Sequence, residues 1–307
     1  MHRGVGMPRR AVLGAALLGV GAIELTGCGI HLEEDAPHIP LVPTRTPVPG
    51  EADLLALMTQ SSALAVALPA TGARGAEFAA QHVEQAAVLD SALRRGGVPE
   101  SLLTAPAAAD SRSVGDREVA QVALIRSLLT TADPALLPTL ASLGANRAVV
   151  CRVLKATIPH ADTPSPSGPP ATVPYLLASR AAAYGMEVVA ARAAGDFRTR
   201  AIDALDEIRA LALEQEVIAG KDAPPAITAY SLPLSADDEA SARRLVEYLL
   251  GGLVTAYAQA IGTAAAGTKL QRADVLLGAG WLEEAALLAD AWKVPLTAFP
   301  GLAQPTG

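Results

Sequence analysis

Aromatic residues make up only 3% of this 307-residue chain, and cysteines number two. Charged residues reach 18%, against about a quarter in a typical domain. Each scarcity excludes something. Two cysteines cannot staple a disulfide scaffold. An all-β fold is disfavoured, because strands draw on aromatic and β-branched residues and are poor in Ala. Disorder is excluded by the 51% hydrophobic content, which disordered chains lack. Roughly one residue in five is Ala, and Ala and Leu are the strongest helix formers. The composition predicts an all-α protein, long enough for one large or two small domains.

The first 28 residues read as an address. Arg9-Arg10 precede an apolar stretch from Ala11 to Ile23. That stretch is shorter than the about 20 residues a bilayer span needs. A basic n-region followed by an apolar h-region is the pattern of a signal peptide. Leu25-Thr26-Gly27-Cys28 resembles the lipobox of bacterial lipoproteins. The resemblance implies cleavage before Cys28, with diacylglycerol and a fatty acid attached to that residue. Arg9-Arg10-Ala11-Val12-Leu13 also resembles a twin-arginine export motif. Pro8 replaces its usual Ser or Thr, so export by Sec or by the twin-arginine route both stay open. Met7 gives a second candidate start. The expected place is the outer face of the cytoplasmic membrane, held by lipid through Cys28.

Removing the leader sharpens the charge. Loss of Arg3, Arg9, Arg10 and Glu24 from 24 basic and 31 acidic residues leaves 21 and 30, a net of −9. Such a chain is a poor binder of nucleic acid or anionic lipid. Cys151 then stands alone, and is expected to be a small buried apolar residue.

Proline divides what remains. Residues 29–50 carry Pro37, Pro40, Pro43, Pro47 and Pro49. Such a tether is extended and semi-rigid, at about 3.1 Å per residue. His31 and His38 flank Glu33, Glu34 and Asp35 there, and read as solvated tether. A second proline-rich break, residues 159–172, separates residues 51–158 from 173–307. Helices do not survive that proline density.

Each half reads as four helices. In the C-terminal half they run from about Val173 to Ala194, Phe197 to Ala219, Ser235 (a predicted N-cap) to Gly262, and Thr268 to Trp292. Their connections are short, long, short, the pattern of a ferritin-like four-helix bundle with one crossover. The N-terminal half repeats the rhythm at about Ala52 to Leu68, Gly75 to Arg95, Val114 to Thr131 and Pro138 to Ala156. Two tandem bundles are expected.

The C-terminal half also resembles an uncharacterised ferritin-like domain of actinobacterial lipoproteins. The likeness rests on Tyr230-Ser231-Leu232-Pro233-Leu234 with Ser235-Ala236-Asp237, on Leu245-Val246-Glu247 with Ala256-Tyr257, and on Ala298-Phe299-Pro300-Gly301-Leu302. It covers about residues 172–302. It implies a fold and an address, and no activity.

Working ferritin-like carboxylate proteins place a Glu on each of two helices and Glu-x-x-His on the other two. Glu187, Glu207, Glu247 and Glu284 fall within about one turn of a common level, at about 1.5 Å per residue. Glu284 lies among Leu277, Trp281 and Leu288, which predicts an inward side chain. The histidines are missing, however: none follows His160. The set therefore reads as a degenerate metal site, with Arg180, Arg243 and Arg244 as candidate partners for inward carboxylates. In the N-terminal half, His82 lies near Glu77 and Glu84, Glu118 follows, and the stretch from Pro138 to Ala156 has no carboxylate. His82 is expected to be a hydrogen-bonded helix residue.

There is no dinucleotide fingerprint, P-loop, zinc-protease motif or nucleophile elbow. The expected function is a lipid-anchored body that binds a partner such as an envelope protein, without catalysis and with no cofactor beyond its lipid. The alternatives are a di-metal oxidoreductase or metal store using Fe or Mn, and a small-molecule binder with a pocket between helices or halves.

Overall fold

Proline and glycine set where the helices of this chain begin and end. The computed structural model describes residues 45–105, 110–160 and 171–303. Arg9, Arg10 and the lipobox Leu25-Thr26-Gly27-Cys28 lie outside the described residues, as does most of the tether. Residues 46–307 are one compact unit.

The fold is all-α, with no strand among the described residues. In the first half, α1 is Glu51–Ala67, α2 Ala73–Arg95, α3 the single turn Glu100–Leu103, α4 Val114–Thr131 and α5 Leu137–Val153. In the second, α6 is Val173–Arg192, α7 Gly195–Ala219, α8 Glu239–Ala266 and α9 Arg272–Ala291. Gly195 and Gly220 take positive φ at the two ends of α7, where a side chain would be strained. Pro138 and Pro174 stand in the first turns of α5 and α6, where no intrahelical N–H is lost.

The start of α8 differs from the sequence expectation. The N-cap is Asp238, not Ser235. Asp238 accepts from the Ser241 amide at 2.7 Å, and Ser241 Oγ accepts from the Asp238 amide at 3.0 Å. This reciprocal box satisfies two amides that a helix start otherwise leaves open.

Two rings of four helices result. In the first, α1 packs on α2 and α4, and α5 packs on α4 and lightly on α2. In the second, α6 packs on α7 and α8, and α8 packs on α9. In each ring the helices joined by the long connection are not principal neighbours. Among the described residues, two helices are long and apolar enough to cross a membrane by length and composition, Glu51–Thr71 and Glu239–Ala266. In this fold α1 buries Leu54, Leu57 and Leu64, and α8 buries Leu245, Leu249, Leu253 and Tyr257.

Two tandem bundles are expected from the sequence, and the two rings share one core. α5 packs against α8 and α9 as well as α4. Every residue from Leu140 to Cys151 is buried. A helix apolar all round is one surrounded by protein, and α5 is that central helix.

Polar ties cross the same boundary. Asp290 on α9 accepts from Arg74 of α2 and Arg152 of α5, both at 2.7 Å. Arg272 on α9 donates to the carbonyls of Leu129 and Ala132. The tail after α9 also returns to the first ring. Ser142 donates to the Pro300 carbonyl, Gln85 to that of Ala298, and Asn146 to that of Thr297. Gly301 follows with φ +80°, and a Cβ there would lie 2.5 Å from the Val254 carbonyl oxygen. Only glycine lets this turn sit against α8.

Candidate functional site

The centre of the first ring collects one polar side chain from each of its four helices: Ser61, His82, Glu118 and Arg147. All four are fully buried. Arg147 donates to Glu118 Oε2 at 3.2 Å and to Ser61 Oγ at 2.7 Å. His82 Nε2 lies 2.8 Å from Glu118 Oε1, and Nδ1 lies 2.7 Å from the Phe78 carbonyl. Imidazolium satisfies both contacts; imidazole satisfies one. Burial, reinforced by the Arg147 charge, lowers the His82 pKa against the pull of Glu118. Burial would raise Glu118, but Arg147 and His82 hold it below the usual carboxylate range. Cys151 is buried nearby, as expected, and burial pushes its thiol up to about 12. A thiol in that state is inert.

The second ring has a neutral centre. Ser179 of α6 donates to Gln215 of α7 at 2.7 Å and contacts Tyr257 of α8 through the two hydroxyls. Gln215 donates to the Tyr257 hydroxyl at 2.8 Å. Tyr175 stacks at an angle on Tyr257 and Trp281. Ser179 and Gln215 carry no motif in the sequence, and Tyr257 stands out there only through the family resemblance.

The four predicted carboxylates do not converge on that centre. Glu187, Glu207, Glu247 and Glu284 are all exposed. Glu187 pairs with Arg209 at 2.7 Å, not with Arg180, Arg243 or Arg244. Glu247 is on the outer face of α8. Glu207 and Glu284 approach each other across the α7–α9 seam, where burial and the Glu284 charge raise the Glu207 pKa. No group of three or more His, Cys, Asp or Glu able to hold a metal occurs among the described residues. Exposed carboxylates lacking imidazoles do not fit a di-metal centre, and no chemistry is derived through one.

Glu284 points outward because α9 is covered by α8, α5 and α4 together. That widens the buried stripe and leaves Gly280 and Glu284 on the remaining exposed line. The inward carboxylate is its neighbour, Glu283, which pairs with Arg126 of α4 at 3.0 Å. Burial raises the Glu283 pKa, opposed by Arg126.

That ion pair lies in the wall of a cleft of about 510 Å³. Its apolar lining comes from both halves: Leu129 and Ala148 from the first, and Leu211, Leu276, Trp281 and Leu287 from the second. A smaller hollow of about 340 Å³ shares Leu211, Glu214 and Glu284 with it and adds Glu207. α7 and α9 are not among the principal helix contacts, so this edge of the ring is the open one.

Residues 171–304 match the family model of DUF4439, a domain of unknown function. The DUF4439 region contains α6 to α9 and the returning tail. It contributes α7 and α9 to the cleft, while Arg126, Leu129 and Ala148 come from outside it. No curated protein and no solved structure matches the chain.

Proposed function

We propose that this chain is an exported lipoprotein whose helical body binds a ligand or partner without catalysis. One observation carries the reading: both rings fill their centres with side chains that pair with one another, with only Arg147 Nε and the Tyr175 hydroxyl lacking a partner there among the described residues. Where a working carboxylate protein needs inward Glu and His facing an ion, the first ring has Arg147 against Glu118 and the second has Ser179, Gln215 and Tyr257. The exposed positions of Glu187, Glu207, Glu247 and Glu284 weigh against the Fe- or Mn-dependent alternative. The ferritin-like reading of both halves is supported by the neighbour pattern, in which the long connection joins helices that are not principal neighbours.

The address rests on sequence. Arg9-Arg10, the apolar h-region and Leu25-Thr26-Gly27-Cys28 follow in the order that lipoproteins use. One acyl chain holds a protein only marginally, and two or more hold it stably, so a diacylated and N-acylated Cys28 suffices as an anchor. The chain from Cys28 on, at a net of −9, gains nothing from anionic lipid. Cys28→Ala is expected to move the chain from the membrane pellet to the soluble fraction on cell fractionation. A Cys28→Ala chain that stays in the pellet would overturn the lipid anchor.

A further inference from the structure

The open α7–α9 edge is chemically lopsided. Its larger hollow, about 510 Å³, has the size of a small-molecule site, for which about 300–1,000 Å³ is usual. Leucines from α4, α7 and α9, Ala148 of α5 and the Trp281 ring give it apolar walls. Its one guanidinium is already engaged: Arg126 donates to Glu283 at 3.0 Å and to the Pro159 carbonyl at 3.2 Å. Glu207, Glu214 and Glu284, by contrast, make no ion pair among the described residues. Negative charge without a direct ion-pair partner, offset at Glu207 by the nearby Arg152, therefore lines the mouth of an apolar slot.

We infer that this groove binds a small organic cation with an apolar body, its tail in the cleft beside Trp281 and its head among Glu207, Glu214 and Glu284. Three further observations support it. The Trp281 indole lines the cleft, and its large apolar ring suits a hydrocarbon tail. Burial first, and then the Glu284 charge, raise the Glu207 pKa, and a cationic head relieves the second of these. Gly280 leaves its part of the wall bare, since a Cβ there would meet nothing within 4 Å. An anionic ligand would face those carboxylates and find Arg126 occupied. The inference deepens the reading of the body as a binding protein and is independent of the lipid anchor.

The test uses the full chain carrying Cys28→Ala, titrated by calorimetry with octyltrimethylammonium below its micelle concentration, with octanoate and with Mn²⁺. The ammonium is expected to bind once per chain, with octanoate weaker by about tenfold or more. Glu207→Gln with Glu284→Gln should weaken the ammonium about tenfold without lowering Tm. Gly280→Leu should abolish binding by filling the slot, while keeping the helix, because Leu is the better helix former. Equal binding of octanoate and ammonium, no binding of either, or binding indifferent to Gly280→Leu would overturn the proposal. Mn²⁺ binding that disappears with the two Glu→Gln changes would overturn it in favour of a metal ion, and the non-catalytic reading with it. The other contrary outcomes would remove this ligand class and leave that reading standing.

Discussion

Residues 171–304 expressed alone are expected to show no cooperative thermal transition. The reason is where α9 lies. One side packs on α8 within the DUF4439 region, and the other covers α5 and α4 outside it. Leu282, Ala285, Ala286 and Ala289 are fully buried in the whole chain. Cutting away the first half uncovers the side of α9 that lies on α5, at about 25 cal/mol for each Å² of apolar surface. It also strands Asp290 without Arg74 and Arg152, Glu283 without Arg126, and the Thr297–Pro300 carbonyls without their donors. Each of these groups, returned to water, gives up a net contribution of about 0.5–1.5 kcal/mol, against about 5–15 kcal/mol of total stability for a typical domain. Scanning calorimetry of the fragment, alone and co-expressed with residues 45–160, checks this. A sharp transition in the fragment alone, near that of the whole chain, would show that the halves are independent.

Arg147→Met is expected to cost about 3–5 kcal/mol, the usual penalty for leaving one member of a buried ion pair behind. Glu118 has no water to turn to, and His82 alone would have to compensate it. The double variant Arg147→Met, Glu118→Leu should recover most of the loss, because apolar replacements of a whole buried pair are often near neutral. Chemical denaturation of the two variants and the parent measures the difference. The same centre sets a pH dependence. The His82 pKa is depressed below its ordinary 6.5 in the fold, so the unfolded chain binds the proton first as pH falls. Glu118 is held low as well. Both contributions are complete above pH 6.5 and are lost on acidification: first that of His82, then that of Glu118 as its ordinary range is passed. His82→Gln should remove the upper part of this decline and leave the lower.

The helices were legible because proline and glycine punctuate this chain more clearly than hydrophobicity does. The boundaries of α1, α2 and α7 follow from Gly50, Gly72, Gly96 and Gly220 with the prolines around them, and α4 opens on Ser113, whose hydroxyl accepts from the Asp116 amide. The shared core was less legible, although one sign of it was present. The stretch from Pro138 to Ala156 has no carboxylate and little amphipathic pattern. It reads as poor in metal ligands, but physically it describes a helix surrounded by other helices. Once α5 is central, the wide buried stripe of α9 follows, and with it the one-residue shift from Glu284 to Glu283. His82 and Glu118 could be picked out as unusual polar residues inside apolar helices. Arg147 could not be matched to them, since sixty-odd residues and a ring closure separate it from His82. The cleft was invisible for the same reason: its walls come from α4, α5, α7 and α9, and only the fold brings them together.

The filled ring centres and the exposed carboxylates lead to one measurement. The metal content of the purified full chain, grown with added iron and manganese, reads the chemistry of the body directly. Fe and Mn are expected far below one ion per chain, with no change in Glu247→Ala or Glu284→Ala. One or two ions per chain, lost in those variants, would contradict a body built for binding and return it to metal chemistry.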